Sequence, residues 1–227
     1  FLYAFHELAL IPTFLMIGIF GSGENRVRTA WTITIFLGVG SLILLVGLIL
    51  TVIALGGSTF AIADLFAIAK NPDLTIETGQ QTLIFAFLLV GFGILVSLFP
   101  FHSWAAPAYA EAPAPVAMLH AGVLKKFGLY GLIRIAMPIV PAGMEALLEV
   151  VLVLLLGNII YIGLVTVAQK KLDRMLGYSS VMHMGYVFLG LATMNQLGVS
   201  GAVLLMFAHG ISIALLFALC GWMKEKY

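Results

Sequence analysis

The chain has 227 residues, of which 62% are hydrophobic and only 9% are charged. A water-soluble domain carries about 25% charged residues, so this composition excludes a soluble globular protein and indicates one that is dissolved in lipid. The net charge of +1 argues against a nucleic-acid-binding face, and the single cysteine, Cys220, excludes an intrachain disulfide and a cysteine-cluster metal or iron–sulfur site.

Seven apolar runs are long enough to cross a bilayer as helices, since one crossing takes about 20 apolar residues. They cover about 1–20, 30–56, 81–99, 115–137, 145–168, 175–194 and 198–223. Because backbone polar groups cannot stay unpaired in lipid, these runs predict an all-α polytopic transmembrane helix bundle, with 1–227 as a single membrane domain. The first run already begins at residue 1, so we expect the chain to be an internal piece of a larger membrane protein.

Two connections between the runs have a structure of their own. The longest connection, 56–80, contains "IADLFAIAK", which predicts a short interfacial helix. The segment 100–115, "PFHSWAAPAYAEAPAP", contains four prolines and predicts a broken helix that stays partly within the membrane.

Ionisable side chains inside the predicted spans are the candidate functional groups, because a charge in the bilayer core costs a few kcal/mol. Glu7 lies within the apolar stretch "AFHELALIP", and Lys125 and Lys126 occupy the centre of "MLHAGVLKKFGLYGLIRI". Adjacent residues point about 100° apart on a helix, so the two lysines face different neighbours. A buried lysine beside a carboxylate can gain or lose a proton when that neighbour moves. We therefore predict a proton relay, with a purely structural Lys–Glu pair as the alternative.

Two histidines on consecutive spans extend this prediction. His183 shares a helix face with Ser179 and Tyr186, and His209 has Ser212 one turn later. Histidine accepts and donates protons near neutral pH, so these positions favour a polar path between helices. The remaining histidines are weaker candidates, for which hydrogen-bonded packing is the simpler interpretation: His6, His102 and His120. No pair of candidate ligands has the helical spacing of a metal site, so no metal is expected.

Several stretches together resemble the antiporter-like subunits of respiratory complex I. They are "FHELALIPTFLMIGIFG", "LFPFHSW", "EAPAPVAMLHAGVLKKFGLYGLIRI", "RMLGYSSVMHMGYVFLG" and "GAVLLMFAHGISIALLF". The resemblance runs nearly end to end and is closest to the subunit 4, or M-type, branch of proton-pumping NADH:quinone oxidoreductase. It implies that the chain covers about the fifth to the eleventh helix of a larger antiporter-like fold.

The resemblance also implies roles for the buried residues. Glu7 matches a glutamate that pairs with a lysine, Lys126 matches the central lysine of the eighth helix, and His183 and His209 match histidines that link this lysine onward. These are the residues that the resemblance assigns to proton transfer.

The sequence departs from the family pattern near the predicted break. Leu95 stands where the family has a lysine, and Ser97 stands where it has a proline, whereas His120 and Lys125 replace expected apolar residues. One interpretation is that Glu7 has lost its partner and that protons pass poorly or not at all. The other, which we favour, is that the missing amine has moved to Lys125.

The resemblance implies a proton-translocating membrane subunit of NADH:quinone oxidoreductase. Its relay would comprise Glu7, Lys125, Lys126, His183 and His209, coupled to electron transfer in other subunits. Such a chain is non-catalytic alone, has no cofactor of its own, and has as partners other membrane subunits, the lipid bilayer and protons, but no nucleic acid. We expect it in a bacterial inner membrane or an organellar one. The alternatives are a subunit of a Mrp-type cation/proton antiporter or of a membrane-bound hydrogenase, or a non-pumping structural scaffold.

Overall fold

The computed structural model describes residues 2–71 and 74–226, and the regular secondary structure of these residues is helical. Ten helices follow one another in the described part of the chain: α1 (Leu2–Phe20), α2 (Arg26–Ala54), α3 (Ile62–Ala69), α4 (Thr78–Val96), α5 (Ala105–Glu111), α6 (Ala114–Ile139), α7 (Pro141–Ala146), α8 (Leu148–Val167), α9 (Leu172–Ala192) and α10 (Gln196–Lys226). The predicted all-α helix bundle is confirmed.

Six of these helices are long and apolar enough to cross a membrane, namely α1, α2, α4, α6, α8 and α10. The chain is therefore an integral membrane protein. The sixth predicted span in chain order, 175–194, coincides with the 21-residue helix α9, which does not belong to these six. Polar residues such as Asp173, Arg174 and His183 make α9 less apolar, and it packs against α5, α8 and α10. Eleven of its 21 residues are buried, so one side of α9 faces the neighbouring helices.

The helices α4 and α6 form the centre of the bundle. In each of them 56% of the most apolar window is buried, compared with 17% in α1 and 22% in α8 and α10. Close approach of α2 to α4 depends on Gly91, where an added Cβ would lie 2.7 Å from the Leu44 Cα. Because neither backbone can move aside, only a residue without a Cβ fits at this crossing.

The predicted break at 100–115 is confirmed, and it begins slightly earlier. Helix α4 ends where Ser97 takes a left-handed conformation, with φ of 67°, and the Leu98 N–H donates to the Gly93 carbonyl at 2.7 Å. This is the hydrogen bond that closes a Schellman turn at a helix C-terminus. The Trp104 indole then donates to the Ile94 carbonyl at 3.1 Å, which folds the connection back onto α4 before α5 begins.

Three single π-helical turns interrupt the long spans at His120–Leu124 and Leu132–Ala136 in α6 and at Gly157–Tyr161 in α8. In the first of them the Lys125 N–H donates to the His120 carbonyl at 3.0 Å, five residues earlier. Such turns insert a residue into the helix and often occur at functional sites. This one immediately precedes the two lysines.

Candidate functional site

Lys126 lies near the middle of α6 and is 8% exposed. Its Nζ donates a hydrogen bond to the Ala121 carbonyl, in the π turn of the same helix, and lies 2.9 Å from the Nδ1 of His209. His209 comes from α10 and is also buried. A charged lysine is a donor only, so His209 Nδ1 accepts when Lys126 is protonated. The pair can therefore share one proton between two helices.

His183 continues this chain of groups onto α9. Its ring centre lies 5.3 Å from that of His209, and its Nδ1 lies 2.8 Å from the Ser179 carbonyl. A carbonyl can only accept, so the proton of the neutral His183 ring sits on Nδ1 and leaves Nε2 as an acceptor. Lys126, His209 and His183 thus form a polar cluster across α6, α10 and α9.

The serine expected beside His209 does not belong to this cluster. Ser212 is exposed, and its hydroxyl donates to the Ala208 carbonyl at 2.8 Å within α10. Tyr186, the last residue of the predicted stripe on α9, contacts His183 with ring centres 6.2 Å apart but is itself 44% exposed. Helical spacing alone predicted these neighbours, and the rotation of each helix decides which of them face inward.

Lys125 lies in a different environment, as the angle between adjacent helical residues predicts. It is 1% exposed, and no group among the described residues hydrogen-bonds to its Nζ, which lies 5.7 Å from the centre of the Tyr109 ring. It lines a cavity of about 190 Å³ together with His6, Leu95 and His120. Lys125 therefore faces the same space as the leucine at the position where a lysine was expected.

Glu7 is partly exposed, with a side chain that is 36% accessible. Its carboxylate lies 3.4 Å from the Nδ1 of His6, the preceding residue on α1. Among the described residues, no lysine nitrogen lies within 4.0 Å of this carboxylate. The described residues therefore hold no direct Glu7–lysine ion pair, and the Glu7 carboxylate contacts the neighbouring His6 instead.

Sequence reasoning did not select Asn158, a fully buried amide in α8. Its Oδ1 accepts from the Phe99 N–H at 2.5 Å, and its Nδ2 donates to the Val181 carbonyl at 3.0 Å. One side chain thus ties the break after α4 to helix α9, which carries His183. The sequence does mark this position, since Asn158 is an isolated amide in the apolar run "LLLGNIIYIG".

The described residues contain no group of three or more His, Cys, Asp or Glu side chains placed to hold a metal ion. The imidazole and amine nitrogens described above are groups that can take up and release protons.

The chain matches a known family of membrane proteins over almost its whole length. The family described as "NADH:quinone oxidoreductase/Mrp antiporter, TM" matches residues 1–226. NAD(P)H-quinone oxidoreductase chain 4-3 of Nostoc sp. is 40% identical over 215 residues, which cover 95% of this chain and 37% of that protein. NADH-quinone oxidoreductase subunit M of Rhodobacter capsulatus is 35% identical over 230 residues, covering 99% and 44%.

A solved structure of respiratory complex I from Thermus thermophilus with bound NADH contains a chain of similar fold. The TM-score is 0.89 at 32% identity, over 98% of this chain and 46% of that one. The chain therefore spans less than half the length of each of these three proteins.

Proposed function

The chain belongs to the NADH:quinone oxidoreductase/Mrp antiporter transmembrane family, and we propose that it is a proton-translocating membrane part of an NADH:quinone oxidoreductase complex. The Nostoc and Rhodobacter relatives both have names that describe quinone oxidoreductase subunits. Electron transfer would take place in other subunits, and this chain, which needs no cofactor of its own, would move protons in response.

The contact between Lys126 and His209 supports this proposal most strongly. A buried ammonium is costly in lipid and is kept where it pairs with an acceptor or has a function. At 2.9 Å the proton on Lys126 Nζ can pass to His209 Nδ1. The N–H bond of the lysine breaks, a new N–H bond forms on the imidazole, and the lysine becomes a neutral amine. His209 can then release a proton from Nε2 towards His183.

A charge that approaches from outside the chain sets the direction of this transfer. Coulomb interactions are strong where little water screens them, so a nearby charge can change which of the two groups holds the proton. Electron transfer elsewhere in the complex would supply that signal, electrostatically or through a conformational change. The relay would then return to its starting state when the next proton arrives.

Glu7 and Lys125 complete the proposed relay on the other side of α6. Lys125 faces the cavity that Leu95 also lines, so its position suits a lysine that has moved from α4 to α6. Glu7 contacts His6, and His6 lines the same cavity. The proposed order of groups is therefore Glu7, the lysine pair, His209 and His183.

One observation favours a non-pumping scaffold as the second candidate. Glu7 contacts a histidine rather than a lysine in the described residues, so the proton path is not continuous through ion pairs.

A Mrp-type antiporter or a hydrogenase subunit would share the same helices, and dependence of transport on sodium would distinguish an antiporter.

The test is Lys126→Leu in the complete complex reconstituted into liposomes, with proton uptake and quinone reduction measured separately. We expect fewer protons transported per electron, because the central proton-holding group is gone. Lys170→Leu is the matched control, since Lys170 is exposed beyond the end of α8. An unchanged proton-to-electron ratio in Lys126→Leu would leave the scaffold as the better interpretation. Unchanged ratios in both Lys125→Leu and Lys126→Leu would also end the proposal that the amine has moved.

A further inference from the structure

The cavity of about 190 Å³ lies among α1, α2, α4 and α6, on the Lys125 side of α6. Its titratable lining residues are His6, His120 and Lys125, and within residues 2–71 and 74–226 no carboxylate lines it. The remaining lining side chains are apolar, apart from Thr13. The Thr13 hydroxyl donates to the Ala9 carbonyl of its own helix at 2.8 Å. Two imidazoles and one amine are therefore the polar groups that can act in this space.

Two of these groups lack hydrogen-bond partners in the part of the chain that the structure describes. His120 is 6% exposed with an unpaired Nδ1, and Lys125 is 1% exposed with an unpaired Nζ. A buried polar group without a partner has given up its hydrogen bonds to water with no replacement, which destabilises the fold. Such groups are rare in folded proteins and call for an explanation, such as a role in chemistry or an ordered water molecule.

His6 connects the cavity to a carboxylate, that of Glu7. Its Nδ1 lies 3.4 Å from the Glu7 carboxylate, and its ring stacks on Phe127 with centres 5.6 Å apart. The stacking contact holds the ring in place, so that one nitrogen meets Glu7 while the residue lines the cavity. The Leu95 side chain reaches the same space from α4 without a polar group. Any polar continuity from Glu7 to Lys125 therefore depends on the histidines.

We propose that His6 and His120 are proton carriers that connect Glu7 to Lys125 across this cavity. The inference rests on the proposed function and adds two residues to its relay. A water molecule occupies about 30 Å³ in the liquid, so the cavity has room for several. Glu7 gives its proton to His6 Nδ1 while His6 releases the proton of Nε2 to cavity water. That water passes a proton to His120 or Lys125, and each N–H or O–H bond that breaks is matched by one that forms.

The two lysines then hold one proton between them at a time rather than one each. Lys125 interacts electrostatically with both Lys126 and His120. Neighbouring cations repel each other strongly where water is excluded, so a proton on Lys126 disfavours a second one on Lys125. Departure of the Lys126 proton towards His209 makes room for the next one from the cavity. The cavity thus acts as the supply side of the Lys126–His209 pair.

The experiment uses His6→Phe and His120→Phe in the complete complex reconstituted into liposomes. Phenylalanine keeps the ring shape but cannot carry a proton, so we expect proton transport through this subunit to slow at least tenfold while the complex still assembles. Thr13→Val is the matched control in the same cavity, with no change expected. His120→Ala leaves space that imidazole can fill, and added imidazole is expected to restore transport.

The outcomes separate this proposal from the proposed function. If both phenylalanine variants transport protons normally while Lys126→Leu does not, the cavity proposal is overturned and the relay through Lys126 stands. If Lys126→Leu also transports normally, the proposed function itself fails. Slow transport in His120→Ala that imidazole does not restore would assign His120 a packing role and would likewise overturn the proposal.

Discussion

Replacement of His209 tests the contact on which the relay depends most directly. Its Nδ1 lies 2.9 Å from the Lys126 Nζ, and both side chains are buried. In His209→Leu, Lys126 keeps only the hydrogen bond to the Ala121 carbonyl. His209 is the group that takes up the proton from Lys126, and a positioned proton acceptor typically contributes about 10²–10⁴-fold to the rate of a transfer. Leucine cannot accept a proton, so we expect proton transfer to slow by about a hundred- to ten-thousand-fold.

His209→Gln separates proton transfer from hydrogen bonding. A glutamine oxygen can still accept from Lys126, but an amide cannot take up and release a proton near neutral pH. We therefore expect His209→Gln to be as slow as His209→Leu when proton uptake into liposomes is followed by stopped-flow with a pH-sensitive dye. Ser212→Ala, one turn further along α10, is the control and should transport normally. Normal transport by the glutamine variant alongside slow transport by the leucine variant would show that His209 only anchors Lys126.

Two further substitutions test the packing that positions the site, both by thermal unfolding in detergent. Asn158→Leu leaves the Phe99 N–H without its acceptor, whereas the Val181 carbonyl lies inside α9 and keeps its helical hydrogen bond, so we expect the free energy of unfolding to fall by about 1–3 kcal/mol. An unchanged unfolding midpoint would contradict this reasoning. Gly91→Ala places a Cβ 2.7 Å from the backbone of α2 and should cost about 1–3 kcal/mol. At Gly38 an added Cβ would have no neighbouring atom within 4 Å, so Gly38→Ala should leave stability unchanged or raise it. Equal unfolding midpoints for Gly91→Ala and Gly38→Ala would refute the packing argument.

The course of the chain through the bilayer could be predicted because bilayer thickness fixes the length of an apolar run. The run at 145–168 became α8 at Leu148–Val167, and the prolines of 100–115 placed the break within a few residues. The start of the break at Ser97 was less visible, since it depends on one left-handed residue. Nothing in the composition of α6 distinguishes its π turns from ordinary helix, so these could not be predicted.

The candidate site was predictable in its members and less so in its contacts. Burial of Lys125, Lys126 and His209 follows from their place in apolar helices. Which groups meet depends on how each helix is rotated against its neighbours. That rotation leaves Glu7 in contact with its neighbour His6, without a lysine among the described residues within 4.0 Å, and turns Ser212 outward. Pairwise contacts between helices that are distant in sequence arise from packing, which a single sequence does not reveal.

The distance in sequence between Lys126 and its partner has a consequence for how the protein is made. His209 follows Lys126 by 83 residues, which at ribosomal rates of about 5–20 residues per second corresponds to a delay of roughly 4 to 17 s. During that interval a nascent helix with two adjacent lysines is a poor substrate for release into the bilayer. We expect α6 to linger at the insertion machinery until its later neighbours emerge, so that assembly faults in α10 would expose α6 to quality-control proteases.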